Sequence, residues 1–212
     1  MFGYKYNPPG IIKFLFSDLT WNTSNDKILL TFDDGPNPET TEKILKKLND
    51  NKIKAAFFCV GKNIKQNSEL AKQIITEGHL ICNHTFNHLI LTKVSNAEIE
   101  NEIKLFNEAL NSVLEIETKY FRPPFGRFNF RVKNRLNSLG LKSVMWNLLT
   151  YDFKNDFSVV KKSVDKYLRS DSIIVLHDSN KSKNMIEESI DYIVEKVNEN
   201  DFRIGEPSEC LK

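Results

Sequence analysis

Short runs of consecutive apolar residues alternate with amphipathic stretches along the chain. The runs at 28–32, 55–60, 79–82, 119–122, 142–146 and 172–176, with a shorter one at 202–204, predict strands. Apolar residues in succession, rather than at alternate positions, indicate strands covered on both faces, the habit of parallel sheets. The stretches between them predict helices with readable ends. Asn37 is placed to cap a helix with Pro38 in its first turn and Ile44, Leu45 and Leu48 on its inner face. Ser95 and Glu98 have capping-box spacing ahead of Ile99, Ile103, Phe106, Leu110 and Val113. Gly78 and Gly140 stand where left-handed residues close helices. Ile186, Ile190, Ile193, Val194 and Val197 mark one side of a last long helix.

Repeated strand–helix units in one domain-sized chain predict an α/β fold with a parallel sheet. Pattern alone does not separate an open sheet from a closed barrel. The polar residues that interrupt it do better: Asp33-Asp34, His84 to His88, Arg122 and His177-Asp178 each follow a different predicted strand. Chemistry gathered at the carboxyl ends of several strands is the habit of barrels. The expectation is therefore a single-domain, distorted (β/α) barrel of about seven parallel strands. Residues 1–25 read as an N-terminal segment packed on it, and residues 26–212 as the domain itself.

Composition changes this picture little. The 212 residues are 40% apolar and 27% charged, which is ordinary globular composition. A net charge of +2 gives no argument for a nucleic-acid partner. No apolar run approaches the ~20 residues needed to cross a bilayer. The start, Ile11-Ile12-Lys13-Phe14-Leu15-Phe16, lacks the features of a signal peptide, so a cytoplasmic site or an export segment outside the sequence is expected. Cys59, Cys82 and Cys210 have no CxxC spacing and read as inert buried thiols.

Chemistry enters with Thr31-Phe32-Asp33-Asp34-Gly35-Pro36 and, fifty residues later, His84-Thr85-Phe86-Asn87-His88. They supply a carboxylate and two imidazoles for a metal ion, with a second carboxylate left over. A three-ligand His/His/carboxylate set leaves coordination positions open for water and substrate. The spare carboxylate can then take a proton from water. Four residues apart on a helical turn, the two rings would share a face. Arg122-Pro123-Pro124-Phe125-Gly126 follows a short strand and, alone, reads as a tight loop carrying a surface arginine. The alternative pairs Arg122 with a site carboxylate. His177 ends an apolar strand, and Asp152 is a candidate to orient its ring; His79 reads as structural.

Taken together and in this order, TFDDGP, NHTFNH, RPPFG, a Trp-then-Asp stretch and LHD resemble the polysaccharide deacetylase family, carbohydrate esterase family 4, with its NodB homology domain. The resemblance runs from residue 27 to about 205. It implies a divalent metal held by Asp34, His84 and His88, zinc first, with cobalt, nickel or manganese as alternatives. It implies Asp33 as general base tuned by Arg122, and His177 as general acid oriented by Asp152. The N–H of Phe125 would complete an oxyanion hole. No nucleophilic serine or cysteine is called for. Two positions depart from the family pattern. Phe153 stands where tryptophan commonly lines the groove, and Val175 where leucine commonly shapes the acyl pocket. Phe125, Trp146, Tyr151 and Phe128 are further candidates for the groove wall.

These expectations describe a metal-dependent hydrolase that removes N-acetyl groups from amino sugars in a poly- or oligosaccharide. No protein partner is indicated. Rivals are an amide hydrolase acting on a formamido-sugar, a lipid-linked sugar or a small cyclic amide, and a catalytically silent carbohydrate-binding domain.

Overall fold

The computed structural model describes residues 6–211. Seven strands form one sheet: β1 (Leu29–Asp34), β2 (Ala56–Cys59), β3 (Leu80–Asn83), β4 (Tyr120–Phe121), β5 (Lys142–Ser143), β6 (Leu148–Leu149) and β7 (Ile173–His177). All pairings are parallel, in the order β5-β4-β3-β2-β1-β7-β6. The edge strands β5 and β6 are consecutive in the chain yet do not pair. The sheet curls into a barrel left open between them, which is the distortion the sequence pattern suggests.

Side chains alternate across this sheet, as a pleated strand requires. Leu30 and Phe32 of β1 and Ile174 and Leu176 of β7 face outward, into a cluster with Ile44, Leu45 and Leu48. Those three belong to α2 (Thr41–Asp50); Ile190 and Ile193 of α8 (Ile186–Glu199) join the same cluster. Leu29, Ala56, Phe58, Ile173 and Val175 face inward. The N-terminal segment, with α1 (Gly10–Leu15), adds Ile12, Phe16, Leu19 and Trp21 to that inner cluster. Half-buried Phe128 packs against this cluster, on Phe16 and Trp21, and is not among the residues that line the site cavity.

Helices α3 (Gly61–Gln66), α4 (Ser68–Thr76), α5 (Asn96–Leu114), α6 (Phe130–Ser138) and α7 (Phe157–Tyr167) complete the outer layer, and α9 (Pro207–Cys210) lies near the C-terminus. The Ser95–Glu98 capping box is formed, and Gly78 and Gly140 have φ of 82° and 74°. Other details depart from the pattern. The helix predicted from Asn37 begins at Thr41, because Asn37 Oδ1 accepts the Glu39 N–H in a turn of its own. The strand predicted at 202–204 is a single bridge, Ile204 to Ile28. The run at 142–146 yields only β5, and the chain re-enters the sheet as β6, which the apolar pattern did not separate. Among the described residues no helix is long and apolar enough to cross a membrane.

Candidate active site

Four strand ends supply the groups at one rim. Asp33 and Asp34 close β1, His84 follows β3, Arg122 follows β4 and His177 closes β7, while Asp152 lies shortly after β6. Regular β geometry would send Asp33 and Asp34 to opposite faces. Asp34 instead adopts φ 83°, a region costly for a side-chain-bearing residue, and both carboxylates line the same cavity. Thr85, His88, Phe125 and Tyr151, on the other loops of this rim, also have positive φ.

Arg122 is fully buried rather than a surface arginine. Its Nη1 donates to Asp33 Oδ1 at 2.7 Å and to Thr31 Oγ1 at 2.8 Å. Its Nε and Nη2 donate to the carbonyls of Val144 (3.0 Å) and Met145 (2.9 Å), between β5 and β6. The guanidinium lies 4.0 Å from the Phe58 ring centroid. A buried charge is tolerable only when paired and hydrogen-bonded, and this one is both. Arg122 thus ties Asp33 to the open seam of the barrel.

Asp34, His84 and His88 form the one cluster of potential metal ligands among the described residues, their ligand atoms all within 4.8 Å of one another. Asp34 Oδ1 lies 3.3 Å from His88 Nε2 and 3.6 Å from His84 Nε2. The two rings sit on an irregular loop, not on a helical turn; left-handed conformations at Thr85 and His88 bring them together. His84 Nδ1 donates to the Arg122 carbonyl at 2.8 Å, since that oxygen can only accept, and so Nε2 keeps its lone pair. Burial first, against the pull of Asp33 and Asp34, lowers His84 to about 4 and keeps it neutral, as a ligand must be. Burial would raise Asp34, but His88, His177 and His84 outweigh it and hold the carboxyl well below its usual range. Two neutral-imidazole nitrogens and an ionised carboxylate suit zinc and its first-row neighbours. The residues therefore fit the ion that the sequence resemblance implies.

On the opposite wall, His177 Nδ1 and the Asp152 carboxylate are 2.7 Å apart, and the His177 backbone N–H donates to the other Asp152 oxygen, also at 2.7 Å. Asp152 is fully buried and accepts from the Thr150 hydroxyl. Burial pulls His177 down, but Asp152, by charge and hydrogen bond, lifts it to about 9 with help from Asp34 and Asp33. Phe153 packs edge-on against this ring, 4.7 Å between centroids.

The cavity holds about 440 Å³. Phe125, Trp146, Tyr151, Phe153 and Val175 line it, as do Asp33, Asp34, His84, His88 and His177. Trp146 and Val175 are nearly buried and double as core; Phe125 is 57% exposed at the mouth. Gly126 and Arg127 N–H groups are used by the Pro123 and Pro124 carbonyls. Among the described residues nothing accepts the Phe125 N–H.

Two buried carboxylates have partners that the sequence does not announce. Asp178 accepts from the hydroxyls of Thr40 (2.5 Å) and Thr41 (2.7 Å), fastening the loop after β1 to the end of β7. Gly35 is obligatory there: a Cβ would stand 2.1 Å from Asp178 Oδ2. Glu102, on α5, accepts from Phe86 and Asn87 of the histidine loop. A signal for it existed, an acidic residue inside the apolar stripe of Ile99, Ile103 and Phe106.

Comparison with known proteins agrees with this geometry. The family model described as polysaccharide deacetylase matches residues 21–144. A peptidoglycan-N-acetylglucosamine deacetylase of Bacillus cereus is 32% identical over 203 residues, 92% of this chain and 93% of its own. A chitooligosaccharide deacetylase of Rhizobium leguminosarum bv. trifolii is 38% identical over 160 residues, 73% of each chain. The crystal structure of a peptidoglycan N-acetylglucosamine deacetylase in complex with 4-naphthalen-1-yl-N-oxidanyl-benzamide superposes with a TM-score of 0.87 at 27% identity, covering 96% of each chain. With barrel, ligand cluster and motif order in agreement, the chain belongs to the polysaccharide deacetylase family, carbohydrate esterase family 4.

Proposed function

We propose that this protein is a metal-dependent hydrolase that removes N-acetyl groups from amino sugars in a peptidoglycan- or chitin-like poly- or oligosaccharide. One observation carries the reading. A single cavity is lined by a carboxylate paired with a buried arginine, a three-residue ligand cluster and a histidine backed by a buried aspartate. The activities named for the B. cereus and R. leguminosarum relatives support it.

Asp34, His84 and His88 would hold the ion, zinc by preference. When bound it supplies Lewis acidity and open positions for water and the acyl oxygen. The chain's own groups cover what amide hydrolysis needs besides. Asp33, paired with Arg122 and oriented by it, takes a proton from the attacking water. The Phe125 N–H, presented by its left-handed turn, donates to the oxygen on which charge develops. His177 carries a proton at Nε2 while Asp152 holds Nδ1–H, and gives it to the departing amine. Trp146, Phe153 and Val175 wall the sugar and the acyl methyl away from bulk water. Neither a covalent acyl-enzyme nor a nucleophilic side chain is part of this scheme.

The test is product analysis on N-acetylglucosamine oligomers with zinc-loaded protein. Acetate and free amine in equal amounts are expected. Formate or a ring-opened acid from other amides, with no acetate, would move the activity to another acyl substrate. Saccharide binding without turnover would make the domain a binding module.

A further inference from the structure

Glu102 is 2% exposed, yet its partners are not cations. Its Oε2 accepts the backbone N–H groups of Phe86 (3.1 Å) and Asn87 (2.7 Å), and its Oε1 accepts from the Asn87 side-chain amide (2.7 Å). These donors belong to the loop between His84 and His88. We propose that Glu102 is a positioning residue for the metal centre, holding that loop in its ligating shape before an ion arrives. The inference rests on the reading of Asp34, His84 and His88 as ligands.

The loop needs such a hold. Thr85 and His88 have φ of 67° and 59°, conformations that persist only when their surroundings impose them. One side of the loop is fixed by α3, whose Gly61 and Lys62 N–H groups donate to the carbonyls of Thr85 and Phe86. Within the loop the Thr85 hydroxyl accepts the His88 N–H at 2.9 Å. The remaining inward-pointing donors, Phe86 and Asn87, are the ones Glu102 takes. Because Glu102 stands on the same apolar stripe as Ile99, Ile103 and Phe106, the core of α5 fixes its position. The rigid helix is thereby transmitted to the ligands without touching them. Partners bonded to the ligands themselves typically set metal affinity by about 10–100-fold, and the same range is expected for a residue that holds the loop between two of them.

The test compares wild type, Glu102→Gln and Glu102→Met. Dissociation constants for Zn²⁺ and Co²⁺ are measured by competition with a chromophoric chelator, at a temperature where circular dichroism shows each protein folded. Glu102→Met, which offers no acceptor, should bind about 10–100-fold more weakly. Glu102→Gln keeps one acceptor oxygen and should fall between Met and wild type. Excess Zn²⁺ should restore acetate release in both. A residue that served only the fold would lower the melting temperature of the metal-free protein and leave the affinity of the folded protein unchanged; that result overturns the proposal. Should Glu102→Met fail to fold, Glu102→Gln decides by the same criterion. Wild-type protein that binds neither ion overturns the metal reading itself, and this inference with it.

Discussion

Asp33 and His177 are register partners on the adjacent parallel strands β1 and β7. The pleat puts both on the inner face, at the rim where Arg122 meets Asp33 and Asp152 meets His177. The proposed proton acceptor and proton donor are thus set side by side by backbone hydrogen bonding, and each is held in place by a buried partner. Removal of either partner should change the behaviour of the residue it serves.

For His177 the change is in pH dependence. A general acid must be protonated, so activity falls as pH rises through its pKa, here about 9. Asp152→Asn removes the charge that opposes burial. The alkaline limb of kcat/KM should move down by about 1–3 pH units, the usual effect of losing one close opposite charge. An unmoved limb would separate His177 from the proton donor.

For Asp33 the change is first in stability. Arg122→Leu leaves a carboxylate that is 5% exposed without its cation. Breaking a buried pair in this way costs about 3–5 kcal/mol, which urea unfolding would register. A smaller cost is expected for Gly126→Ala. A Cβ at Gly126 would stand 2.2 Å from the Trp146 ring, at φ 61°, so about 1–3 kcal/mol and a displaced groove wall should follow.

His79 gives a prediction independent of catalysis. It is 5% exposed and accepts the Ala55 N–H at Nδ1. Burial first, and Lys54 second, lower it from 6.5 to about 4. The folded protein then binds fewer protons than the unfolded chain. Its contribution is complete above pH 6.5 and is lost as pH falls from 6.5 toward 4, about 3 kcal/mol in all. His79→Asn, whose amide oxygen stands near the place of Nδ1, should flatten the stability curve over that window. The comparison of variant with wild type cancels the similar titration of His84.

Much of this site could be read from the sequence because its chemistry interrupts the apolar pattern. Asp33, His84 and His177 break off apolar runs, and a polar residue at the end of a buried strand is conspicuous. What escaped was of three kinds. Leu148–Leu149 is too short to stand apart from the apolar residues before it, so β6 was not separated from the run ending at Trp146. The placement of His84 and His88 depends on left-handed residues, Thr85 and His88, that carry no glycine to announce them. Glu102 and Asp178 act through hydrogen bonds to distant loops, and spacing along the chain does not reveal such partners. Phe128 shows the converse: an aromatic near a motif that packs against the core instead of lining the cavity.

Val175 concerns specificity. It is 1% exposed and shares the cavity wall with Trp146 and Leu149. Val175→Leu adds one methylene to that wall. Turnover of N-propionyl relative to N-acetyl substrate should drop about 10-fold, within the range for one methylene in an apolar pocket. Competition between the two acyl groups on one oligosaccharide measures it.

The division of labour between Asp33 and Asp34 is the centre of the proposed mechanism, and Asp33→Asn tests it most directly. Asparagine still accepts from Arg122 but cannot take a proton. Metal content and acetate release are measured on the same preparation. The metal should remain at the wild-type stoichiometry, because Asp34, His84 and His88 are untouched, while the rate falls by about 10²–10⁴-fold. A wild-type rate in metal-loaded Asp33→Asn, or a loss of the metal itself, would contradict the assignment.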